Sequence, residues 1–245
     1  MSDPRFTDPY ATPRPGSGLA GNPAIIARPD ARAQAAFLTQ AFLWMFVGLA
    51  VTAGVACVVQ SNARLLQVAS GNVLILIIAQ LVVVFAIQLG IRRMSATLAL
   101  GLFFVYAASL GLTIGLIVSH YTAGSVATAF LSASAMFGAA AVYGHVTKRS
   151  LAGVGGLLVM GVVGLLVASV INLFLLNSMV SWVISIVGVV IFTALTAYDV
   201  QRIQTGQLAV WTGSVEKAAV MGALHLYLDF VNLFLFLLRL LGNRN

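Results

Sequence analysis

The sequence predicts an all-α integral membrane protein, built as a bundle of seven transmembrane helices. Of its 245 residues, 60% are hydrophobic and only 8% are charged, whereas about a quarter of the residues in a soluble domain are charged. Its mean hydropathy of +1.03 agrees with this class. The apolar residues also form continuous runs of the length, about 20 residues, that crosses a hydrocarbon core as a helix. Helices are favoured because they satisfy their own backbone hydrogen bonds in lipid, which an open sheet could not.

The chain divides into a tail and a transmembrane domain. Residues 1–35 contain all six prolines and three of the six acidic residues. Because this stretch lacks the apolar content to form a core, we expect a disordered, Pro-rich cytoplasmic tail. Residues 36–245 form the seven-helix transmembrane domain. Its apolar segments cover approximately residues 36–59, 73–91, 96–118, 125–145, 151–174, 179–199 and 217–241.

Basic residues cluster on one side of this topology. In a soluble protein the net charge of +7 would suggest nucleic-acid binding, but in a membrane protein basic residues mark the cytoplasmic loops. We therefore expect a cytoplasmic N-terminus and no nucleic-acid partner. Ten of the 13 basic residues fall in the tail or in loops on its side: Arg5, Arg14, Arg28, Arg32, Arg92, Arg93, Lys148, Arg149, Arg202 and Lys217. Whether the seventh segment spans or re-enters is left open, because a spanning segment would put the terminal arginines outside.

Asp229 is a charge near the middle of the seventh segment. It is the twelfth of the 24 residues from Ala218 to Leu241. An aspartate at the centre of a spanning helix costs about 3 kcal/mol or more, so a functional role is the first hypothesis. The alternative is a structural carboxylate that forms hydrogen bonds inside the bundle. Helical spacing places one polar face on this segment: Gly222, His225, Asp229, Asn232 and Arg239.

Asp199 closes the sequence IFTALTAYD at the end of the sixth segment. If the helix continues into VQRIQ, Thr196, Asp199 and Arg202 share a face, and an intrahelical pair of Asp199 with Arg202 can form. If the helix ends there, Asp199 is a helix-end carboxylate in the headgroup region. The pattern leaves both alternatives open.

Small and amide side chains indicate how the helices associate. Gly111 and Gly115 form a GxxxG pair, and Ala152 and Gly156 form a second pair of small residues with the same spacing. Such pairs let helix backbones approach closely in membranes. Gln80, Gln88 and Asn172 lie within apolar segments, and we expect them to join neighbouring helices by hydrogen bonds.

Four stretches resemble one known family. They are YAASLGLTIGLI in the third segment, VYGHVTKRSLAGVGGLL across the fourth and fifth, IFTALTAYDVQRIQ in the sixth, and LYLDFVNLFLFLLRL in the seventh. The chain resembles the Bax inhibitor-1 family, also called the transmembrane Bax inhibitor motif family, and specifically its bacterial branch. The resemblance implies a bundle whose C-terminal helix is central and ringed by the other six, in a bacterial inner membrane.

The resemblance also implies a pH-sensitive calcium leak governed by two aspartates, here Asp199 and Asp229. Two buried carboxylates held close cannot both ionise cheaply, so they would share one proton near neutral pH. Alkalinisation would charge the pair and favour separation, which could gate a pore along the seventh helix. Thr196, His225 and Asn232 are candidate contacts for the permeating ion. A tight calcium site takes 6 to 8 oxygens, so we expect no cofactor and only weakly bound calcium.

Two other functional classes also place polar residues inside a helix bundle or use such a bundle as a binding surface. An intramembrane aspartyl protease also uses two aspartates on adjacent helices, but LYL precedes Asp229 where those enzymes have Gly-x-Gly, and no Pro-Ala-Leu follows. We therefore expect no enzyme. A membrane-embedded regulator that binds a membrane protease, or a stress or cell-death factor, stays open, because a partner surface leaves little trace in one sequence.

Overall fold

The computed structural model describes the backbone of residues 31–243 and the side chains of residues 36–243. The predicted disorder of the tail concerns residues that lie mostly outside this range. The first helix begins at Ala31, earlier than expected, so the last residues of the predicted tail are helical. In chain order the helices are α1 (Ala31–Ser61), α2 (Ala63–Gly71), α3 (Val73–Gly90), α4 (Ala96–Val118), α5 (Ala123–Val146), α6 (Ala152–Leu175), α7 (Ser178–Gln204), α8 (Gln207–Thr212) and α9 (Val215–Leu241).

Seven of these helices are long and apolar enough to cross a membrane: α1, α3, α4, α5, α6, α7 and α9. They match the predicted segments, and the bounds of α4 coincide with the prediction. The short helices α2 and α8 lie in links that were expected to be loops. Two glycines with positive φ, Gly206 at 73° and Gly213 at 75°, bound α8, and this left-handed conformation suits glycine.

Polar side chains define where five of the helices begin. In each case the side-chain oxygen accepts a hydrogen bond from a backbone N–H of the first turn, which would otherwise have no partner. The capping residues of α2, α4, α5, α7 and α9 are Asn62, Ser95, Thr122, Asn177 and Ser214.

α9 is the most buried of the seven long helices. In its most apolar stretch 72% of the residues are buried, against 39% for α4, the next highest. It packs on α1, α4, α5 and α7, whereas α3 packs on α4 and α6 packs on α7. The expected ring of six helices around the C-terminal helix is therefore a group of four, with α3 and α6 outside it.

The two ends of α9 lie at opposite ends of the bundle. Near its start, Lys217 Nζ donates to the carbonyl oxygen of Arg92 (3.2 Å), in the α3–α4 link. Just after its end, the backbone N–H of Asn243 donates to Ser125 Oγ (2.8 Å), close to the α4–α5 link. Because α4 joins these two links, α9 runs the full length of the bundle as one unbroken helix. A re-entrant segment would return to the end where it began, so this alternative is excluded. We name the two ends the α3–α4 end and the α4–α5 end.

The GxxxG pair is the contact between α4 and α1. A Cβ built on Gly111 would lie 2.7 Å from Val55 Cβ, and one on Gly115 would lie 3.0 Å from the carbonyl oxygen of Ala56. Packing through this pair is confirmed. Packing through Gly156 was wrong, because a Cβ there would meet nothing within 4 Å. The neighbouring Gly155 takes that role, facing the ring of Tyr198 on α7.

Two of the three predicted amide bridges are confirmed, and Gln88 forms no hydrogen bond with any residue that the structure describes. Gln80 Nε2 donates to the carbonyl oxygen of Ser109 (2.9 Å) and to Thr113 Oγ1 (2.8 Å), which joins α3 to α4. Asn172 Nδ2 donates to Ser181 Oγ (2.7 Å), which joins α6 to α7. These bonds hold α3 and α6, the two helices outside the inner group, to their neighbours.

A hydroxyl pair joins α9 to α1 and α4 in the core. Tyr227 is fully buried, and its hydroxyl oxygen lies 2.6 Å from Thr52 Oγ1. Thr52 Oγ1 also lies 3.0 Å from the carbonyl oxygen of Gly48 and 2.8 Å from that of Ala107. A threonine hydroxyl carries one proton. Thr52 therefore donates to a carbonyl and accepts from Tyr227.

We expect Thr52→Val to destabilise the protein more than Tyr227→Phe. The tyrosine change removes one buried hydrogen bond, at a cost of about 1 kcal/mol, and leaves Thr52 bonded to a carbonyl. The threonine change leaves the buried Tyr227 hydroxyl without a partner, which costs about 1–3 kcal/mol. Thermal unfolding of the purified variants in detergent measures the order. Equal losses, or a double variant no more stable than Thr52→Val alone, would contradict this assignment of donor and acceptor.

Candidate functional site

Asp199 lies inside α7 and is buried. The helix continues through Gln204, so the alternative of a helix-end carboxylate does not hold. Only 6% of Asp199 is exposed. One turn earlier, Thr196 is fully buried and its hydroxyl donates to the carbonyl oxygen of Phe192 (2.8 Å). The face of α7 that carries both residues is turned into the bundle.

Asp229 is buried near the middle of α9. It is 3% exposed. Its Oδ2 is completely buried and forms no hydrogen bond with any described residue. A buried polar atom without a partner carries a desolvation cost. Asp229 is therefore not the carboxylate with satisfied hydrogen bonds that a purely structural role would require.

The two aspartates lie on α7 and α9, two helices that contact each other. These helices pack together along their length, and the side chain of Asp199 approaches α9 at His225, one turn before Asp229. Each helix supplies one buried carboxylate to this interface. Like charges in such surroundings repel strongly, because little water is present to screen them.

His225 is the basic neighbour of Asp199. It lies one turn before Asp229 on α9, and its Nδ1 is 3.6 Å from Asp199 Oδ1. That separation is too long for a hydrogen bond, and within residues 36–243 the buried Nδ1 has no hydrogen-bond partner. The α7–α9 interface therefore holds three ionisable side chains, and unsatisfied polar atoms belong to two of them.

Arg202, the expected basic partner of Asp199, is placed differently. It forms no salt bridge with any residue that the structure describes, and it is partly exposed. It stands near the end of α7, where a long side chain can carry its charge to the polar boundary of the membrane. The structure thus places His225, rather than Arg202, beside Asp199.

Asn232 continues the polar face of α9 one turn beyond Asp229. It is half-buried, and its Nδ2 donates to the carbonyl oxygen of Leu228 (2.8 Å). Its amide N–H₂ is thus used on its own helix, as the Thr196 hydroxyl is on α7. Helical spacing puts Asn232 on the face of α9 that carries Asp229, and Thr196 on the face of α7 that carries Asp199.

Gln201 is a residue of this region that sequence reasoning missed. Its Oε1 accepts from the backbone N–H of Leu151 (2.7 Å), and its Nε2 donates to the carbonyl oxygen of Arg149 (2.8 Å). These bonds fix the α5–α6 link to α7 beside Asp199. The only signal was a polar residue in a stretch that continues an apolar helix.

Comparison with known proteins identifies one matching family model and several bacterial relatives. The model of the family described as "Inhibitor of apoptosis-promoting Bax1" matches residues 34–245. The chain is 40% identical over 214 residues to inner membrane protein YbhL of Escherichia coli K12, covering 85% of this chain and 92% of that protein. It is 40% identical over 211 residues to an uncharacterized protein of Deinococcus radiodurans, covering 85% and 91%. It is 38% identical over 213 residues to one of Borreliella burgdorferi, covering 85% and 92%. The chain therefore belongs to the Bax inhibitor-1 family of integral membrane proteins, in its bacterial branch.

Proposed function

We propose that this protein is a pH-sensitive calcium leak channel of a bacterial inner membrane, with a cytoplasmic N-terminus, gated by Asp199 and Asp229. The observation that carries the proposal is the pair of buried carboxylates at one helix interface, of which Asp229 has an oxygen without a hydrogen-bond partner. Membership of the family supports it at a coarser level, since the family is consistent with a channel or a regulator. Carboxylates inside a membrane domain commonly belong to ion or proton pathways.

The gating step follows from the charge that the pair can hold. With one shared proton, the carboxylates carry one negative charge and can join α7 to α9 by a hydrogen bond. Without that proton, two like charges face each other where little water screens them, and the repulsion favours separation of the helices. Calcium flux should therefore increase as the pH rises through the range in which the pair loses its proton.

The neighbouring polar groups have supporting roles in this proposal. His225 lies close enough to Asp199 to offset its charge when the imidazole is protonated. Thr196 and Asn232 supply oxygens along the same interface, and we propose that they contact the permeating ion. Calcium would be held weakly and transiently, because two carboxylates and a few neutral oxygens fall short of the 6 to 8 ligands of a tight site.

The test is calcium flux into proteoliposomes that contain only the purified protein and an enclosed calcium indicator. We expect flux above that of protein-free vesicles, increasing from mildly acidic to mildly alkaline pH. If no calcium passes at any pH, the channel proposal fails, and the better hypothesis is a regulator that binds a membrane protein partner. Cleavage of a membrane substrate that requires both aspartates would instead favour an intramembrane protease.

A further inference from the structure

A crevice with a volume of about 760 Å³ lies between α1 and α5, in the half of the bundle near the α4–α5 end. Its floor is α9, through Phe230, Val231 and Phe234. The facing walls include Ala53 of α1 and Ala127 of α5. Both of these alanines are exposed, so the crevice opens sideways between two helices that are long enough to cross the membrane.

The crevice exists because α1 diverges from α5 along its length. Towards the α3–α4 end the two helices meet, with the rings of Phe42 and Phe137 6.3 Å apart. Towards the other end α1 packs closely on α4 through Gly111 and Gly115. α5 stays on α7 and α9, so the space between α1 and α5 widens and reaches down to the buried side of α9.

The lining suits a hydrocarbon chain. The deeper walls are apolar except for Thr52, whose hydroxyl is bonded within the core. The polar side chains Gln60, Ser119 and Tyr121 come near the ends of α1 and α4. Gln60 and Ser119 are bonded to their own helices, to the carbonyl oxygens of Ala56 (3.3 Å) and Leu116 (2.8 Å). None of the lining residues is acidic, so the crevice lacks the carboxylates that a calcium pathway would use.

We propose that the crevice binds one acyl chain of a phospholipid from the surrounding bilayer. A space that opens between spanning helices is reached from the hydrocarbon phase, where lipid tails are as apolar as the leucine and phenylalanine side chains that line it. Its volume falls within the range of about 300–1,000 Å³ that is typical of small-molecule sites. The headgroup would lie beside Gln60 and Ser119, where the helices end.

The lipid site is separate from the aspartates and does not rest on the proposed channel function. Helical spacing places Phe230, Val231 and Phe234 on the side of α9 away from His225 and Asn232. An acyl chain in the crevice therefore packs on the side of α9 opposite to the α7–α9 interface, and it does not contact that interface.

Photolabelling tests the site directly. The full-length protein is placed in nanodiscs containing a phospholipid with a diazirine in the middle of one acyl chain, irradiated, digested and analysed by mass spectrometry. We expect labels on Phe230, Val231 or Phe234 of α9, which line the crevice and are otherwise buried. Labels confined to exposed residues such as Val159 and Val163 of α6 would overturn the proposal.

Tryptophan substitutions that fill the crevice can be compared with a matched substitution outside it. Ala53→Trp and Ala127→Trp place an indole in it from opposite walls, so either one serves if the other fails to fold. Each should abolish the α9 label and leave the α6 labels in place. Val163→Trp, an equally large change on the exposed face of α6, should leave the α9 label unchanged. An α9 label that persists in both alanine variants would overturn the proposal.

Cys57, the one cysteine of the chain, lines the crevice and reports on its contents. If an acyl chain fills the space, a charged, water-soluble thiol reagent should modify Cys57 slowly in nanodiscs, and faster once detergent removes the lipid. Rapid modification in nanodiscs would mean that the crevice is a water-filled vestibule, which contradicts the proposal.

Discussion

Asp229→Asn removes the pH response of calcium flux in proteoliposomes. Asparagine keeps the size and shape of aspartate but has no proton to lose, so the two like charges that would separate α7 from α9 at high pH can no longer both form. We expect a flux that is nearly independent of pH over the range in which the wild-type flux increases. Asp199→Asn should have the same effect, since either change leaves one carboxylate without the repulsion of the other.

Two controls make this result specific. Glu216→Gln removes an exposed carboxylate at the start of the same helix, and the pH response should survive it. His225→Gln removes the basic neighbour of Asp199 but keeps both carboxylates, so some pH response should remain. A flat profile in His225→Gln together with a normal one in Asp229→Asn would identify the histidine as the sensor and refute the carboxylate pair.

The spanning helices could be predicted from the sequence, because a bilayer demands continuous apolar runs of a defined length. The end of α7 could not be predicted in the same way. The polar residues of VQRIQ resemble a loop, yet the helix continues because Gln201 forms hydrogen bonds with the α5–α6 link. Such a partner is distant in sequence. The burial of Asp199 depends on this continuation, so the sequence did not decide whether Asp199 is buried or lies at a helix end.

In the candidate site, too, some features could be predicted from the sequence and others could not. Asp229 could be recognised from its cost alone, since a carboxylate inside an apolar helix needs a reason. That His225 rather than Arg202 lies beside Asp199 depends on the register of α7 against α9, which the spacing along either helix does not determine. The crevice could not be predicted from the sequence, because it results from the divergence of two helices and not from any residue pattern.

Gly144 is the position where a single added side chain should do the most structural damage. A Cβ there would overlap the carbonyl oxygen of Ala197 and lie 2.9 Å from Ala197 Cα. These are backbone atoms of α7, which cannot rotate away as a side chain can. Any residue larger than glycine must therefore push α5 and α7 apart, at the turn that carries Asp199.

Gly144→Val should consequently lower the thermal unfolding temperature in detergent far more than Gly138→Val. Both changes put the same β-branched residue into α5, so their effects on helix propensity are alike. A Cβ on Gly138 meets nothing within 4 Å, whereas overpacking at Gly144 should cost about 1–3 kcal/mol or more. Similar unfolding temperatures would show that α5 and α7 do not touch here. A large loss at Gly144 alone would show that close backbone contact holds Asp199 in the bundle, which the proposed gating requires.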